Sequence, residues 1–374
     1  CGGFSKDTAK NYAFRFGRPS SFPRSAGSIG QFGVGMKRAL LKFGSKFEVH
    51  SSTDKESWAV GLDVDEWLNH TDWHFPWIDF ESAGGVSESV PGTRVEVTDL
   101  RAEVSQRFGS VQFVQKLRDL IKTKHREFIA DRLHIEVNEE VIDATKLALL
   151  VQSDLKPGYD EFQIITDDNK PVHVKILVGV GQSSPREAGW YVVCNGRVIL
   201  SADRDANTGW GKIEEESNRV MIPSFHNQFA RFRGVVWLDS DDSSLLPWNT
   251  QKTDIDVDNV AWRKTFNRMV EMMRPVINWL NDLDADIDEH TRKHSALLKY
   301  VESASSQSIE MVTKKKQDFE APRRDAIRPG PPTTKIQYSR PVSKIEELKQ
   351  ALSVNSAVAV GEKTFDLIYA ELCG

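Results

Sequence analysis

The hydrophobic pattern of the first 132 residues changes from helical to alternating and back to helical. Two short helical patterns frame residues 17–35, a segment rich in Gly, Pro and Ser. The patterns are, in order, helices at 5–16 and 36–43, strand-like runs at 46–52, 57–64 and 93–100, and a helical stripe over 111–132. Helix, loop, helix and strands together predict an α/β sandwich layer, and the long loop 17–35 is typical of a lid.

Strand patterns dominate after a predicted boundary near residue 133. The runs lie at 133–142, 172–180, 189–200 and 232–240. Asn195-Gly196 predicts a hairpin turn within the third run. A helix is predicted over 258–284, and we expect Pro275 to kink or divide it. Residues 303–343 are rich in Pro, Ser, Lys and Arg and predict a partly extended linker before a small helical end.

Composition narrows the class of protein. The chain has 374 residues, 39% hydrophobic and 28% charged, as in soluble globular proteins of two or three domains. We find no signal peptide and no apolar run of the roughly 20 residues that a membrane span needs. The formal net charge of −5 argues against a generally basic nucleic-acid binder. The three cysteines are far apart, which excludes a disulfide framework and predicts a cytoplasmic protein.

The stretch SIGQFGVGMKRALLKFG, residues 28–44, carries the clearest chemistry. A Walker A loop would need Lys after Gly35, where Met36 stands, and a dinucleotide fingerprint would need Gly in place of Arg38. The remaining glycines lead into a helix N-terminus, which favours an anion. Lys37 in the first turn is better explained if a phosphate neutralises it. A mobile loop before an ordinary helix is the alternative.

Three separated pieces, CGGF at 1–4, IGQFGVG at 29–35 and GTRVEV at 92–97, resemble in this order the GHKL ATPase superfamily. This superfamily comprises type II topoisomerase ATPase subunits, large heat-shock chaperones, MutL mismatch-repair proteins, MORC proteins and histidine kinases. The string GVGMK is most similar to MORC proteins. Lys252, in LPWNTQKTDID, resembles the lysine that a transducer domain of gyrase- and MutL-like members sends back to the γ-phosphate. A surface turn lysine is the alternative for Lys252.

The resemblance implies a two-layer α/β sandwich ATPase domain over 1–132 and an α+β transducer domain over 133–286. A helix and basic linker, 287–343, and a helical segment, 344–374, follow. The residues implied in nucleotide binding are Gly2, Gly3, Gly30, Gln31, Phe32, Gly33, Val34, Gly35, Lys37 and Thr93, with Lys252 as the catalytic residue. Cys1 stands where the family's first glycine is usual. The glutamate general base, the asparagine that holds magnesium and the adenine-reading aspartate are expected before residue 1.

The function implied is an ATP- and magnesium-dependent clamp that dimerises, hydrolyses ATP when the glutamate helix is present, and takes part in DNA transactions or prokaryotic genome defence. A non-hydrolysing scaffold that recruits a partner is one alternative, and a heat-shock-type chaperone is another. The basic linker is either a solvated tether or a contact for nucleic acid or protein. We expect no membrane partner.

Two other clusters are better explained by structure than by chemistry. His70 and His74 have helical spacing, but no Glu follows His70, so the zincin pattern fails. The neighbouring tryptophans, Trp67, Trp73 and Trp77, predict core or interface packing. The run DSDDSS at 239–244 lacks the calcium-loop pattern and predicts a solvated turn.

Overall fold

The computed structural model describes residues 2–15, 17, 27, 29–30, 33–71, 76–78, 91–166, 169–211, 213–214, 219–220, 222–312, 314–323 and 336–373. The chain forms two compact units, Cys1–Arg324 and Asp325–Gly374. The predicted mixed α/β class is confirmed, because two main sheets and their helices make up the first unit. The boundary predicted near residue 133 lies inside that unit and stays a prediction.

The first sheet is antiparallel, in the strand order β3-β2-β1-β4. Its elements are α1 (Lys6–Thr8), a π-helix (Ala9–Ala13), α2 (Gly35–Phe43), β1 (Gly44–Ser52), β2 (Ser57–Asp63), α3 (Val64–Trp67), β3 (Trp77–Ile78) and β4 (Gly92–Leu100). The three predicted strands and the second helix are confirmed. The first predicted helix is shorter than expected and changes to π geometry after Thr8.

Alternation in β1 and β2 produces the core of this sheet. Phe47 and Val49 on β1 and Trp58 and Val60 on β2 are buried together with Leu40 of α2. Trp67 and Trp77 pack against the same core, as predicted for them, whereas Trp73 lies outside the described residues. The amphipathic helix α2 therefore covers the sheet and fixes the position of its own N-terminus at the end of the lid segment.

Three helices and a short hairpin join the two sheets. They are α4 (Ala102–Phe108), α5 (Val111–Lys124), α6 (Arg126–Asp131), β5 (Glu136–Val137) and β6 (Glu140–Val141). The single helix predicted over 111–132 is wrong in one respect, because it breaks at His125, which ends α5 and precedes α6. Ser110 starts α5 by accepting a hydrogen bond from the Phe113 amide.

The second sheet has five strands in the order β11-β10-β14-β9-β8, and only the β10–β14 pair is parallel. The elements of this region are β7 (Ala148–Val151), β8 (Gly158–Ile165), β9 (Pro171–Val180), β10 (Gly189–Cys194), β11 (Arg197–Asp203), β12 (Ile213–Glu214), β13 (Arg219–Val220), β14 (Phe232–Asp239), α7 (Val260–His294), α8 (Ala296–Ser303) and β15 (Ser305–Ser308), with 3-10 turns at Ala206–Thr208, Asn227–Phe229 and Ser243–Leu245. The predicted hairpin turn at Asn195-Gly196 joins β10 to β11.

The long helix α7 covers one face of the second sheet. Its buried residues, among them Trp262, Met269 and Leu280, pack against the inward side chains of β9, β10 and β14. Of the two effects expected from Pro275, division of the helix is excluded, because α7 runs without a break from Val260 to His294, and a kink stays a prediction. Packing against the sheet outweighs the roughly 3 kcal/mol that a proline costs inside a helix.

The first part of the predicted linker is folded onto the second sheet. β15 pairs with β7, and two bridges follow, between Tyr159 and Gln317 and between Lys156 and Glu320. Each bridge has two backbone hydrogen bonds of 2.8–3.0 Å. We call residues 305–320 the strap, because they lie along β7 and the outer strand β8.

The unit Asp325–Gly374 contains α9 (Val342–Leu352) and α10 (Ala357–Cys373), which confirms the predicted helical end. Several large apolar side chains of α10 are exposed: Val358, Phe365, Leu367, Ile368, Tyr369 and Leu372. Of the helices in the described ranges, none combines the length and the apolarity that a bilayer span requires.

Candidate nucleotide site

The N-terminal glycine pair meets the start of the Gly-Thr turn at one end of the first sheet. Gly3 has a φ of +64°, and a Cβ added to it would lie 2.0 Å from the carbonyl oxygen of Ser52 and 3.0 Å from that of Gly92. Only glycine fits this position, because a side chain would collide with two backbone segments. The structure therefore brings together Gly3 and the Gly92-Thr93 turn, which lie about 90 residues apart in the sequence.

A hydroxyl group on β1 connects these two pieces. The Phe4 amide donates to Ser51 Oγ at 2.9 Å, and Ser51 Oγ lies 3.0 Å from Thr93 Oγ1. Ser51 Oγ also donates to the Gly92 carbonyl at 3.3 Å. The three bonds are compatible if the Thr93 hydroxyl donates to Ser51. Sequence reasoning missed Ser51, because only the antiparallel register of β1 and β4 in the structure places Ser51 opposite Thr93.

Trp58 anchors the same N-terminal segment from the neighbouring strand. Its indole N–H donates to the Phe4 carbonyl at 2.7 Å, and the two rings meet edge to face with centroids 4.8 Å apart. Trp58 is only 2% exposed. Residues 3–4 are thus fixed at both backbone polar groups of Phe4, which gives this corner of the sheet a defined geometry.

The lid glycines precede α2, and the helix N-terminus is open in the described part of the chain. Val34 occupies the cap position, no described side chain caps the helix, and the first turn contains no acidic residue. Gly33 has a φ of +67°. A Cβ added to Gly30 or Gly35 would meet no described atom within 4 Å. Protein packing therefore requires glycine at neither of these two positions.

Two of the predicted lid residues, Gln31 and Phe32, lie outside the described residues, as does most of the segment 17–29. The described lid residues Gly27 and Ile29 lie near residues of the second sheet and its loops. Ile29 packs on the core beneath α7. Gly27 lines a cleft of about 700 Å³ together with Phe128, Asn195 and Gly196.

Lys37 has a partner within the protein. Its ammonium donates to the carbonyl of Ala13 at 2.8 Å, and the residue is only 6% exposed. Burial lowers the pKa of Lys37 below its usual range. Ala13 ends the π-helix, where carbonyl groups favour a cation, so the chain offers a reason for Lys37 that does not require a phosphate. Its role in nucleotide binding stays a prediction.

Lys252 lies in a tight loop that follows β14. Its amide donates to the Asn249 carbonyl, and Asn249 Oδ1 accepts from the Thr253 amide, both at 3.0 Å. Trp248 and Ile255 pair across the base of the loop. Lys252 has a φ of +56°, the left-handed region that non-glycine residues rarely adopt. The loop is thus held by its own hydrogen bonds in a shape that costs free energy, as is common at functional sites.

The Lys252 ammonium lies 5.2 Å from the centre of the Trp248 ring. Burial lowers the pKa of Lys252, and the nearby charge of Arg197 lowers it further. Lys252 therefore lies within electrostatic range of Arg197, the first residue of β11. Its predicted reach to a γ-phosphate stays a prediction.

The remaining candidates have no site around them. His70 is exposed on the turn after α3, and His74 lies outside the described residues. Asp242 caps a 3-10 turn and pairs with Lys170 at 2.6 Å. The predicted solvated turn at 239–244 is confirmed only in part, because Asp241 and Ser244 are exposed whereas Ser240 and Ser243 are buried. Among the described residues, no group of three His, Cys, Asp or Glu side chains could hold a metal.

Comparison with known proteins finds a family similarity in the first part of the chain. Residues 2–93 match the family described as "Histidine kinase-, DNA gyrase B-, and HSP90-like ATPase". This match confirms the resemblance to the GHKL superfamily over the region that contains Gly3, the lid glycines and Thr93. A search of curated protein sequences found no significant match.

Several solved structures align with 67–73% of this chain at low identity. The B-subunit of DNA gyrase from Myxococcus xanthus is 14% identical, with a TM-score of 0.38, and the alignment covers 73% of this chain and 78% of that one. The 43K ATPase domain of Thermus thermophilus gyrase B is 11% identical, with a TM-score of 0.31 and coverages of 67% and 70%. The topoisomerase IV ATP-binding domain of Francisella tularensis is 15% identical, with a TM-score of 0.31 and coverages of 68% and 69%.

Proposed function

We propose that this chain binds ATP through the corner formed by Gly3, Ser51 and Thr93 together with the N-terminus of α2. The observation that carries the proposal is the junction itself. The N-terminal Gly3 motif and the Gly92-Thr93 motif, which are far apart in sequence, are in close contact there. A Cβ on Gly3 would lie 2.0 Å from the Ser52 carbonyl oxygen and 3.0 Å from that of Gly92. The family match over residues 2–93 supports ATP as the ligand, because it spans both motifs and the lid.

The phosphates are assigned to the lid glycines and the start of α2. An open helix N-terminus presents N–H groups and a positive dipole end to an anion. Glycine at 30 and 35 is not required by packing, so close approach of a ligand to the backbone is the simplest reason for it. The Thr93 hydroxyl, held by Ser51 at 3.0 Å, is assigned to the adenine side.

The wider proposal is a nucleotide-gated clamp. ATP orders the lid over the triphosphate, Lys252 approaches the terminal phosphate, and two protomers associate in the closed state. A ligand shifts this equilibrium only through contacts that differ between open and closed states, and a lysine from a second domain provides such a contact. Hydrolysis then reopens the clamp in a chain that carries the predicted glutamate helix. A role in DNA transactions or prokaryotic defence, with a MORC- or MutL-like character, belongs to the same proposal.

A second candidate is a nucleotide-binding scaffold that recruits a partner without hydrolysis. The exposed apolar residues of α10, among them Phe365, Ile368 and Leu372, favour it, because a soluble helix with such a surface is usually covered by another protein. Both candidates require nucleotide binding at the same corner. They differ in whether ATP turns over.

Gly35→Ala tests nucleotide binding directly. The added methyl meets no described atom, and alanine is the better helix former, so the free energy of unfolding should stay equal or rise by about 0.5–1 kcal/mol. Affinity for ADP and for a non-hydrolysable ATP analogue, measured by calorimetric titration, should fall at least about tenfold, because the methyl separates the backbone from the phosphates.

The matched control is Gly109→Ala. Gly109 ends α4 with a φ of −73°, and its added methyl meets neighbours no closer than 3.5 Å. This variant should bind nucleotide as the unaltered chain does. If Gly35→Ala also retains full affinity, the phosphates do not lie at the start of α2.

A further inference from the structure

We infer that α10 pairs side by side with the α10 of a second copy of this chain, through a stripe of apolar positions that its own chain leaves open. The stripe comprises Val358, Gly361, Phe365, Ile368, Tyr369 and Leu372. The inference does not rest on nucleotide binding. It assigns to a second copy the surface that the scaffold candidate would use for a different protein.

The residues of the stripe lie on one side of the helix. Their spacing of three or four residues, with Tyr369 next to Ile368, keeps them within roughly 100° around the helix axis. Val358, Phe365 and Leu372 recur every seven residues, which is the repeat of a seam between two paired helices. The five side chains of the stripe are each between 54% and 76% exposed. The stripe therefore has the pattern of a helix–helix contact but lacks the second helix.

The unit that contains α10 has almost no core of its own. Among the described residues of Asp325–Gly374, Val360 is the only apolar side chain that is buried. A unit this small usually needs a disulfide, a metal or association with another surface to be stable. Cys373, its one cysteine, is free, and its described residues include no group of side chains that could hold a metal. Association is the remaining source of stability.

The area of the stripe is sufficient for a dimer. Five large side chains that are each more than half exposed present roughly 500–600 Å² of surface. Two such stripes in contact would bury roughly 1,000–1,200 Å², which reaches the lower size limit of a specific interface. A soluble protein that exposes an apolar patch of this size usually binds through it.

The residues that flank the stripe are compatible with pairing of two identical helices. If the two helices run parallel, Glu362 of one copy faces Ala357 of the other, and Tyr369 faces Thr364. If they run antiparallel, Glu362 faces Tyr369, and Thr364 faces Glu371. Two charges of one sign meet in neither arrangement, so electrostatic repulsion does not oppose the dimer.

A membrane surface fits this helix less well than a second copy does. Helices that lie in a membrane interface carry Lys and Arg on their polar side, where they attract anionic lipids. The polar positions of α10 instead include three acidic residues, Glu362, Asp366 and Glu371, and one basic residue, Lys363. Anionic lipids would therefore repel the helix.

The test measures the mass of the full 374-residue chain by sedimentation equilibrium without nucleotide. The unaltered chain should approach twice its mass of 42.3 kDa at concentrations up to about 100 μM, because interfaces at the lower size limit are often of micromolar affinity. Phe365→Glu should raise the dimer Kd at least about thirtyfold, because it places two carboxylates in the centre of the seam.

The matched control is Leu367→Glu. Leu367 is 57% exposed and Phe365 is 56% exposed, but residues two positions apart do not share a side of a helix. Leu367→Glu therefore introduces the same charge on the same helix outside the stripe. It should dimerise as the unaltered chain does, and circular dichroism should show equal helix content in both variants.

Gly361→Leu tests the seam in the opposite direction. Gly361 lies within the stripe, and a Cβ added to it would meet no described atom within 4 Å. A leucine at this position adds apolar surface to the seam and should lower the dimer Kd about tenfold. Loss of structure does not tighten a specific dimer, so this variant separates the seam from a folding defect.

The pairing is overturned if the unaltered chain stays at its monomer mass over the whole concentration range, whether or not it binds vesicles of phosphatidylcholine and phosphatidylglycerol. Equal dimer Kd values for Phe365→Glu and Leu367→Glu also overturn it. So does association that needs a non-hydrolysable ATP analogue and is unchanged in Phe365→Glu, because such association belongs to the proposed clamp. If the chain binds no adenine nucleotide, the proposed function fails, while sedimentation without nucleotide still tests the α10 pair.

Discussion

Replacing Gly3 by alanine, with Gly2 as its matched neighbour, tests the corner on which nucleotide binding depends. The Gly3 methyl would lie 2.0 Å from the Ser52 carbonyl oxygen and 2.8 Å from its carbon, whereas a methyl on Gly2 meets no described atom within 4 Å. The obstacle is backbone, so no rotamer change relieves the contact. The N-terminal segment must then move away from β1.

The cost of Gly3→Ala has two parts. Left-handed backbone costs alanine about 1–2 kcal/mol relative to glycine. Displacement of the segment also breaks the 2.9 Å bond from the Phe4 amide to Ser51, worth about 1 kcal/mol. We therefore expect the free energy of unfolding to fall by about 2–3 kcal/mol. Adenine nucleotide affinity should fall as well, because Ser51 no longer holds Thr93 in the same place.

Equilibrium urea unfolding measures the first effect, and calorimetric titration with ADP measures the second. Gly2→Ala is the control for stability, and it should change the free energy of unfolding by no more than about 0.5 kcal/mol, since surface substitutions without contacts are usually neutral. Gly109→Ala is the control for ADP affinity. The reasoning is refuted if Gly3→Ala is as stable as Gly2→Ala and binds ADP as tightly as Gly109→Ala. In that case the close approach of Gly3 to the two strands does not contribute to the site.

Three further substitutions test separate parts of the site. Ser51→Ala removes the hydrogen-bond partner of Phe4 and Thr93, so it should weaken ADP binding and lower the free energy of unfolding by about 1–3 kcal/mol. Ser52→Ala is the control, because the Ser52 hydroxyl bonds only Ser57 among the described contacts. It should leave ADP binding intact, and equal ADP affinities in the two variants would contradict the role of Ser51. Lys252→Ala should lower the affinity for a non-hydrolysable ATP analogue about tenfold in calorimetric titration and leave the affinity for ADP unchanged. Equal losses of affinity for both nucleotides would show that Lys252 does not contact the terminal phosphate. Burial lowers the pKa of Lys37 from 10.5, so between the folded and unfolded pKa values the unfolded chain binds more protons and the free energy of unfolding should rise with pH. In urea unfolding at successive pH values, the free energy of unfolding of Lys37→Met should rise less than that of the unaltered chain, and superimposable profiles would contradict the burial effect.

The sequence predicted the elements whose periodicity is set by burial on one face. β1, β2 and β4, the Asn195-Gly196 hairpin and α2 were all predicted within a few residues, because their inward positions repeat with the period of a strand or a helix. Pro275 was expected to kink or divide α7, and the division does not occur. A local rule about Pro275 was overridden by packing of the helix on a whole sheet, which a single-residue rule does not include.

The candidate site was predicted in its motifs but not in its connections. Gly3 and Thr93 were named from the sequence, yet Ser51 was not, because a lone serine in a strand carries no signal until the register of β1 and β4 places it opposite Thr93. Lys37 was named for a phosphate, and its bond to Ala13 depends on where the π-helix ends.

The strap has a consequence for how this protein can be shortened. An outer β-strand with free N–H and C=O groups is a template for strands of other molecules, and proteins usually protect such edges. Here the protection of β7 and β8 comes from residues 305–320, far along the chain and beyond the long helix α7. A truncation that ends at the close of α8 would keep every strand of the second sheet, but it would leave β7 without its partner strand and the edge at β8 bare. Such a fragment would self-associate, whereas one that ends after residue 323 would keep its edges paired.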